Sequence, residues 1–210
     1  MNKVNNKPIL SILLNNSKQV ELDNTVLVLN EFQNQWTKRG LYHWLIKREL
    51  KKRNVVDNTL ELLKHWRSKN LMVIHAPIIQ DPKNKKGFLA HISDAGFFTK
   101  GTWKAEFTEG TYVEGDIVLE GRYTFNVFEG SDFEDILNSM NVKTFLICGF
   151  TTSLCIKMTV EAAKKKGYDF IIINDCSATF TGWLQKLFDR KFKDNIVHSD
   201  EVIKELKTMR

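Results

Sequence analysis

Residues 142–176 read VKTFLICGFTTSLCIKMTVEAAKKKGYDFIIINDC, and this stretch decides the fold. Its apolar run Phe145-Leu-Ile-Cys148 is too short for a helix and stops at Gly149, the pattern of a strand buried on both faces. After GFTTSL and Cys155, the residues Ile156, Val160 and Ala163 recur at spacings of four and three, which is one face of an amphipathic helix. Lys164, Lys165 and Lys166 fill its last turn, where the carbonyl end of the helix dipole favours cations, and Gly167 ends it. A second apolar run, Phe170 to Ile173, stops at Asn174 and Asp175. Strand, turn, helix and strand in that order make a right-handed βαβ crossover of a parallel sheet.

The crossover puts Cys155 in the first turn of a helix, among backbone N–H groups that lack intrahelical partners. Those groups are expected to stabilise a thiolate, so that Cys155 reacts at about pH 6 rather than near the ~8.5 of a free thiol. The same groups can cradle an oxyanion, so nucleophile and oxyanion hole share one turn. A buried cysteine is otherwise a small apolar filler. Its place on the ligand-binding edge of a parallel sheet favours chemistry.

Outward from this unit the alternation continues. Thr25 to Leu29 is a β-branched, apolar first strand whose end delivers Glu31. A helical pattern over Val56 to Lys69 leads to a second strand, Leu71 to Ile74, ending at His75 and Pro77. Between Pro77 and Gly115 periodicity is lost, the mark of a functional loop or lid. Asp116 to Leu119 is a third strand that leads to Arg122, and Ser131 to Met140 is a short helix capped by Ser131. After Cys176 come a helix around Trp183 to Phe192, a short strand at Ile196-Val197 and a last helix from Ser199. The pattern predicts one three-layer α/β/α domain over residues 1–210, with a six-stranded, mostly parallel, doubly wound sheet and an N-terminal extension over residues 1–22 that forms a strand or hairpin.

Composition narrows the function. Hydrophobic residues at 42% and charged residues at 27% are ordinary for a globular chain, and no apolar run approaches the ~20 residues of a membrane span. Three cysteines, an odd number, argue against a disulfide framework and suit a reducing, cytoplasmic compartment. The net charge of +6 is spread over separate basic clusters without a nucleic-acid motif, so neither nucleic acid nor membrane is an expected partner. No CxxC, paired-histidine, GxGxxG or GxxxxGK[ST] pattern is present, so no metal or cofactor is expected.

In a parallel sheet the C-terminal ends of the strands share one edge. That edge collects Glu31, His75, Arg122, Thr151 to Cys155, and Asn174 with Asp175. Phe32, Trp36, Phe98, Trp103, Phe125 and Phe128 lie near it and are candidates to wall a cavity, and Phe32, Trp36, His75, Trp103 and Phe128 are taken as substrate-binding.

These segments together resemble the isochorismatase-like cysteine hydrolase superfamily, which includes nicotinamidases and related amidohydrolases. TVLVLNEFQN resembles that family's first strand, GDIVLEGRYTFNVFEGSDFEDIL its third-strand segment, and ICGFTTSLCIKMTVEAAKKKGYDFIIINDCSATF its nucleophile segment; the likeness runs from Thr25 to about Thr179. The family's triad is Asp, Lys and Cys. The resemblance places Cys155 on the nucleophile, Glu31 on the acid and Arg122 on the lysine, with an oxyanion hole from the backbone N–H groups of Thr151 and Cys155 after a cis Phe150–Thr151 bond. The metal-binding Asp/His set of true nicotinamidases has no counterpart around HAPIIQDP. Family members commonly form dimers or tetramers, so a homo-oligomer acting on a small molecule is expected.

The resemblance thus implies a cysteine-dependent hydrolase of a C–N, amide-like bond that works through a thioester. A glutamate can carry protons if burial raises its pKa. An arginine cannot give up a proton but can fix an anion. Two other readings stay open: a binding protein in which Glu31 and Arg122 form a bidentate structural pair, and an isochorismatase-type vinyl-ether hydrolase, which requires no nucleophile.

Overall fold

The computed structural model describes residues 9–10, 20–21, 24–84, 87, 89–94 and 96–209. Of the expected N-terminal hairpin, strands β1 (Ile9–Leu10) and β2 (Val20–Glu21) pair antiparallel, and the rest of residues 1–22 lies outside the described residues. The main sheet holds β3 (Thr25–Asn30), β4 (Val73–Ala76), β5 (Ile117–Val118), β6 (Thr144–Phe150), β7 (Asp169–Ala178) and β8 (Ile196–Val197). Their order is β5-β4-β3-β6-β7-β8, and each neighbouring pair is parallel. Around it lie α1 (Asn34–Thr37), α2 (Leu41–Lys52), α3 (Val55–Ser68), α4 (Ala90–Asp94), α5 (Phe133–Ser139), α6 (Lys157–Lys166), α7 (Gly182–Lys191) and α8 (Ser199–Thr208).

Strand alternation divides the core. Leu27 and Leu29 of β3 face Ile46 of α2, Trp66 of α3 and Val202 of α8, whereas Val26 and Val28 face Leu137 of α5, Val160 of α6 and Phe188 of α7. Each such buried aliphatic side chain contributes roughly 1.5–3 kcal/mol relative to exposure. Both faces are covered, which is why β3 reads as an unbroken apolar run with every residue buried. None of the helices among the described residues is long and apolar enough to cross a membrane.

Topology fixes where a ligand can reach the sheet. From β3 the chain builds β4 and β5 on one side, then returns to build β6, β7 and β8 on the other. The winding reverses between β3 and β6, and in open parallel sheets the crevice opens beyond the strand ends at that reversal. The two strands touch there. Gly149 has φ +122°, and a Cβ on it would fall 2.0 Å from the Asn30 carbonyl oxygen, so glycine is required.

Three local expectations change. Cys155 does not lie in the first turn of an α-helix: Thr152–Ile156 is a π-helical turn, closed by Ile156 N–H donating to the Thr151 carbonyl at 3.1 Å, and α6 starts at Lys157. The second strand runs through His75 to Ala76, which takes His75 into the core. The strand after α6 does not stop at Asn174. An irregularity between Ile147 and Gly149 lets β7 re-pair and run on to Ala178, with Asn174 and Asp175 inside it. Over residues 77–116 the chain forms α4, a 3-10 turn at Trp103–Ala105 and isolated bridges Gln80 to Thr99 and Gln33 to Phe107.

Candidate active site

At the end of β3, Glu31 takes a left-handed conformation, φ +59°, which is uncommon for a residue with a side chain and is held only by its surroundings. Those surroundings are the backbone bonds Glu31 N–H to Ala76 carbonyl, 3.2 Å, and Gln33 N–H to Glu31 carbonyl, 2.6 Å. Its carboxylate is fully enclosed. Oε1 accepts from Arg122 Nη2 at 2.9 Å and from Asn30 Nδ2 at 3.3 Å, while Oε2 accepts from the Trp36 indole at 3.1 Å. The carboxylate and the buried thiol of Cys155 also act on one another's ionisation.

Arg122 spends every N–H it has. Nε donates to the Thr124 carbonyl, Nη1 to Asn30 Oδ1 and the Ala76 carbonyl, and Nη2 to Glu31 Oε1 and the Phe125 carbonyl. It meets Glu31 through one oxygen, so the pair is not bidentate and the second oxygen serves other donors. A buried cation held by four acceptors besides the acid is a fixed positive charge and a structural tie at once.

Asn30 is the residue that sequence reasoning overlooked. Besides Glu31 and Arg122 it binds the Phe150 carbonyl through Nδ2, and so joins the acid's strand to the peptide before the cis bond between Phe150 and Thr151. Its signal was an amide at the end of an otherwise apolar strand. Tyr42 was also missed; its phenol, raised by burial and then by the negative charges of Glu31 and Cys155, is part of the same surroundings.

The electrostatics revise the expected thiolate. Burial pushes the Cys155 thiol well up, the Glu31 charge and hydrogen bond add to that, and Arg122 and the Thr151 N–H pull back without prevailing. Glu31 is raised by burial too, against Arg122 and its hydrogen bonds from Cys155 and Trp36. Two buried acids in contact do not both ionise. Both shifts run against a standing thiolate at Cys155.

The other residues assigned to the edge divide. Trp36 is at the site, at the centre of an aromatic group in which Phe150 stacks on it at 6.0 Å and Tyr42, Phe98 and Phe180 lie at 4.7, 6.4 and 6.5 Å. Phe32 packs on Phe150 at 4.9 Å and is core. Phe125 supplies a carbonyl to Arg122. His75 is not at the site: its Nε2 pairs with Asp116 at 3.0 Å and its ring lies on Phe107, because β4 carries it to the α3 side where Arg67 holds the same carboxylate. Phe128 packs with Phe133 and Tyr168 on the opposite face of the sheet, and Trp103 is 38% exposed under the Arg39 guanidinium. Asn174 and Asp175 are bound by Arg53 and Gln185 and by Asn58 and Ser199. An open cavity of about 420 Å³, lined by Gln80, Asp81, Lys100, Glu120 and Tyr123, shares Arg122 with the site. Among the described residues no group of three His, Cys, Asp or Glu side chains is placed to hold a metal ion.

A family model described as the isochorismatase domain matches residues 25–197. A cysteine hydrolase from Pseudomonas syringae pv. phaseolicola superposes with a TM-score of 0.77 at 17% identity, over 90% of this chain and 95% of that one. N-carbamoylsarcosine amidase from Thermoplasma acidophilum superposes with a TM-score of 0.69 at 20% identity, over 84% and 97%. At these identities the likeness establishes the fold. An uncharacterized isochorismatase family protein of Bacillus subtilis is 28% identical over 124 residues, 59% of this chain. The chain spans 60% and 64% of the lengths of the two Bacillus subtilis relatives it matches.

Proposed function

Since the chain belongs to the isochorismatase domain family, whose solved relatives include hydrolases, we propose that it is a cysteine-dependent hydrolase that opens a C–N, amide-like bond of a small molecule. The observation that carries this reading is the buried meeting of Glu31 and Cys155, which act on one another's ionisation, with Arg122 fixed against the acid at 2.9 Å. As sulfur bonds to the carbonyl carbon, its proton passes to Glu31 and the carbonyl π pair moves to oxygen. The N–H groups of Thr151 and Cys155 stabilise that oxygen. Collapse of the adduct breaks the C–N bond, and Glu31 returns the proton to the leaving amine. Water then attacks the thioester, gives its proton to Glu31, and sulfur leaves to be reprotonated. Arg122 holds its charge throughout and transfers none.

Release of ammonia or amine over a panel of small amides tests the proposal. Wild-type turnover that disappears in Cys155→Ala is the expected result, and turnover unchanged in that variant overturns the mechanism. A second reading, a ligand-binding protein without turnover, draws on the complete engagement of Arg122 and the burial of Cys155. It predicts saturable binding and no amine from any member of the panel. The vinyl-ether alternative gains nothing from a thiol joined to a base. Self-association is supported by exposed Leu41 and Trp44 on α2 and exposed Trp183 and Leu187 on α7, and sedimentation tests it. Three unpaired cysteines support a reducing, cytoplasmic setting.

A further inference from the structure

Among the described residues, the buried side-chain atoms without a hydrogen-bond partner are Gln35 Nε2, Arg67 Nε, His75 Nδ1 and Thr151 Oγ1. Native proteins rarely leave such atoms unpaired, because the group loses water and gains nothing. Of these, Thr151 Oγ1 sits on the residue that opens the Cys155 turn, whose carbonyl accepts from Leu154 and Ile156, the neighbours of the cysteine on either side, at 3.2 and 3.1 Å. The next two hydroxyls along the turn are both satisfied, Thr152 by Gln185 and Ser153 by Thr179. In the run Thr151-Thr152-Ser153 the unpartnered hydroxyl is that of Thr151, four residues before Cys155 in the same turn.

We infer that the Thr151 hydroxyl is a further catalytic group, which donates to the substrate oxygen as that oxygen turns from carbonyl to tetrahedral, beside the backbone donors. The inference rests on Cys155 being the nucleophile. It assigns the hydroxyl a partner that the resting protein does not supply, so removing it should weaken the adduct without loosening the fold. A structural hydroxyl would move both together.

The probe is benzaldehyde labelled with carbon-13 at the carbonyl. Sulfur bonds to the carbonyl carbon, the C=O π bond opens, and the thiol proton ends on the new oxygen, giving a hemithioacetal with no leaving group. Adduct formation is read from the tetrahedral carbon resonance, and fold stability from the thermal midpoint. In Thr151→Val, which keeps the shape and removes the hydroxyl, the dissociation constant should rise about tenfold or more, one hydrogen bond's worth, with a midpoint equal to or above wild type. Thr151→Ser should keep the adduct, and Thr151→Ala should repeat the loss if valine disturbs the turn. Equal affinity in Thr151→Val and Thr151→Ala, or a loss matched by a lower midpoint in both, overturns the role of the hydroxyl while leaving the nucleophile in place. An adduct that survives Cys155→Ala, or none in wild type, overturns the nucleophile and this inference with it.

Discussion

Replacing Glu31 by glutamine should make Cys155 more reactive toward an alkylating agent while abolishing turnover. Burial holds the thiol up first, and the Glu31 charge is the next cause. A charge at about 4 Å in an effective dielectric of ~20 is worth ~4 kcal/mol. Losing that repulsion favours the thiolate, at ~1.4 kcal/mol for each tenfold. Arg122 is untouched and becomes the thiolate's own counter-ion. Thiolate at pH 7 then increases by ~10³, and the lower basicity of the sulfur gives back a factor of ~30 at a Brønsted slope of ~0.5. The net expectation is iodoacetamide labelling of Glu31→Gln about 30-fold faster than wild type at pH 7, followed by intact mass. Cys148 and Cys176, both buried and both raised by burial, should stay unlabelled, and Cys155→Ala in the same background controls for them. Turnover should fall by ~10²–10⁴ because the proton carrier is gone. Labelling no faster than wild type would refute the claim that Glu31 keeps the sulfur protonated.

Arg122→Met removes the counter-ion of Glu31 and strands the carbonyls of Ala76, Thr124 and Phe125, so a loss of about 3–5 kcal/mol is expected in denaturant unfolding near neutral pH. In that variant Glu31 rises further above its unfolded value of 4.5; its protonated form favours folding, so the deficit against wild type should shrink as pH falls toward 4.5, and a deficit independent of pH would contradict this. Trp36→Phe keeps the ring but deletes the indole bond to Glu31 Oε2, a bond to a charged group worth ~1.5–3 kcal/mol, so the acidic limb of the kcat/KM profile should move up by about one unit or more. Asp116 is held below its ordinary 3.8, since hydrogen bonds from His75, Arg67 and the Val113 backbone outweigh its burial. Its stabilisation is present above 3.8 and lost as pH falls through the depressed value, so Asp116→Asn should be less stable than wild type at pH 7 and converge with it below about pH 3.8 in thermal melts.

The fold was legible because its signals are local. Four-residue apolar runs, lysines in a last turn and Gly167 behind them each act within a few residues, and Gly167 does end α6 at φ +82°. The meeting of Glu31, Arg122 and Cys155 was legible only through the family resemblance combined with the rule that parallel strands share an edge. Electrostatic direction was not legible. The N–H groups of the turn promised a low pKa for Cys155, but the groups that decide it, burial and Glu31, come from a strand far away in the chain. His75 was misplaced for a smaller reason: two more residues in β4 turn a loop imidazole into a core one. Asn174 and Asp175 went the same way, because a strand irregularity carries β7 past them. Phe128 follows Arg122 closely in sequence, yet the turns after Arg122 deliver it to the other layer.

The close approach of Gly149 to Asn30 reaches beyond steric fit. Glu31 and Cys155 follow two backbones that meet there with no side chain between them, riveted by one amide. Divergence toward new substrates therefore falls to the chain between residues 77 and 116, which can be rebuilt without touching the rivet.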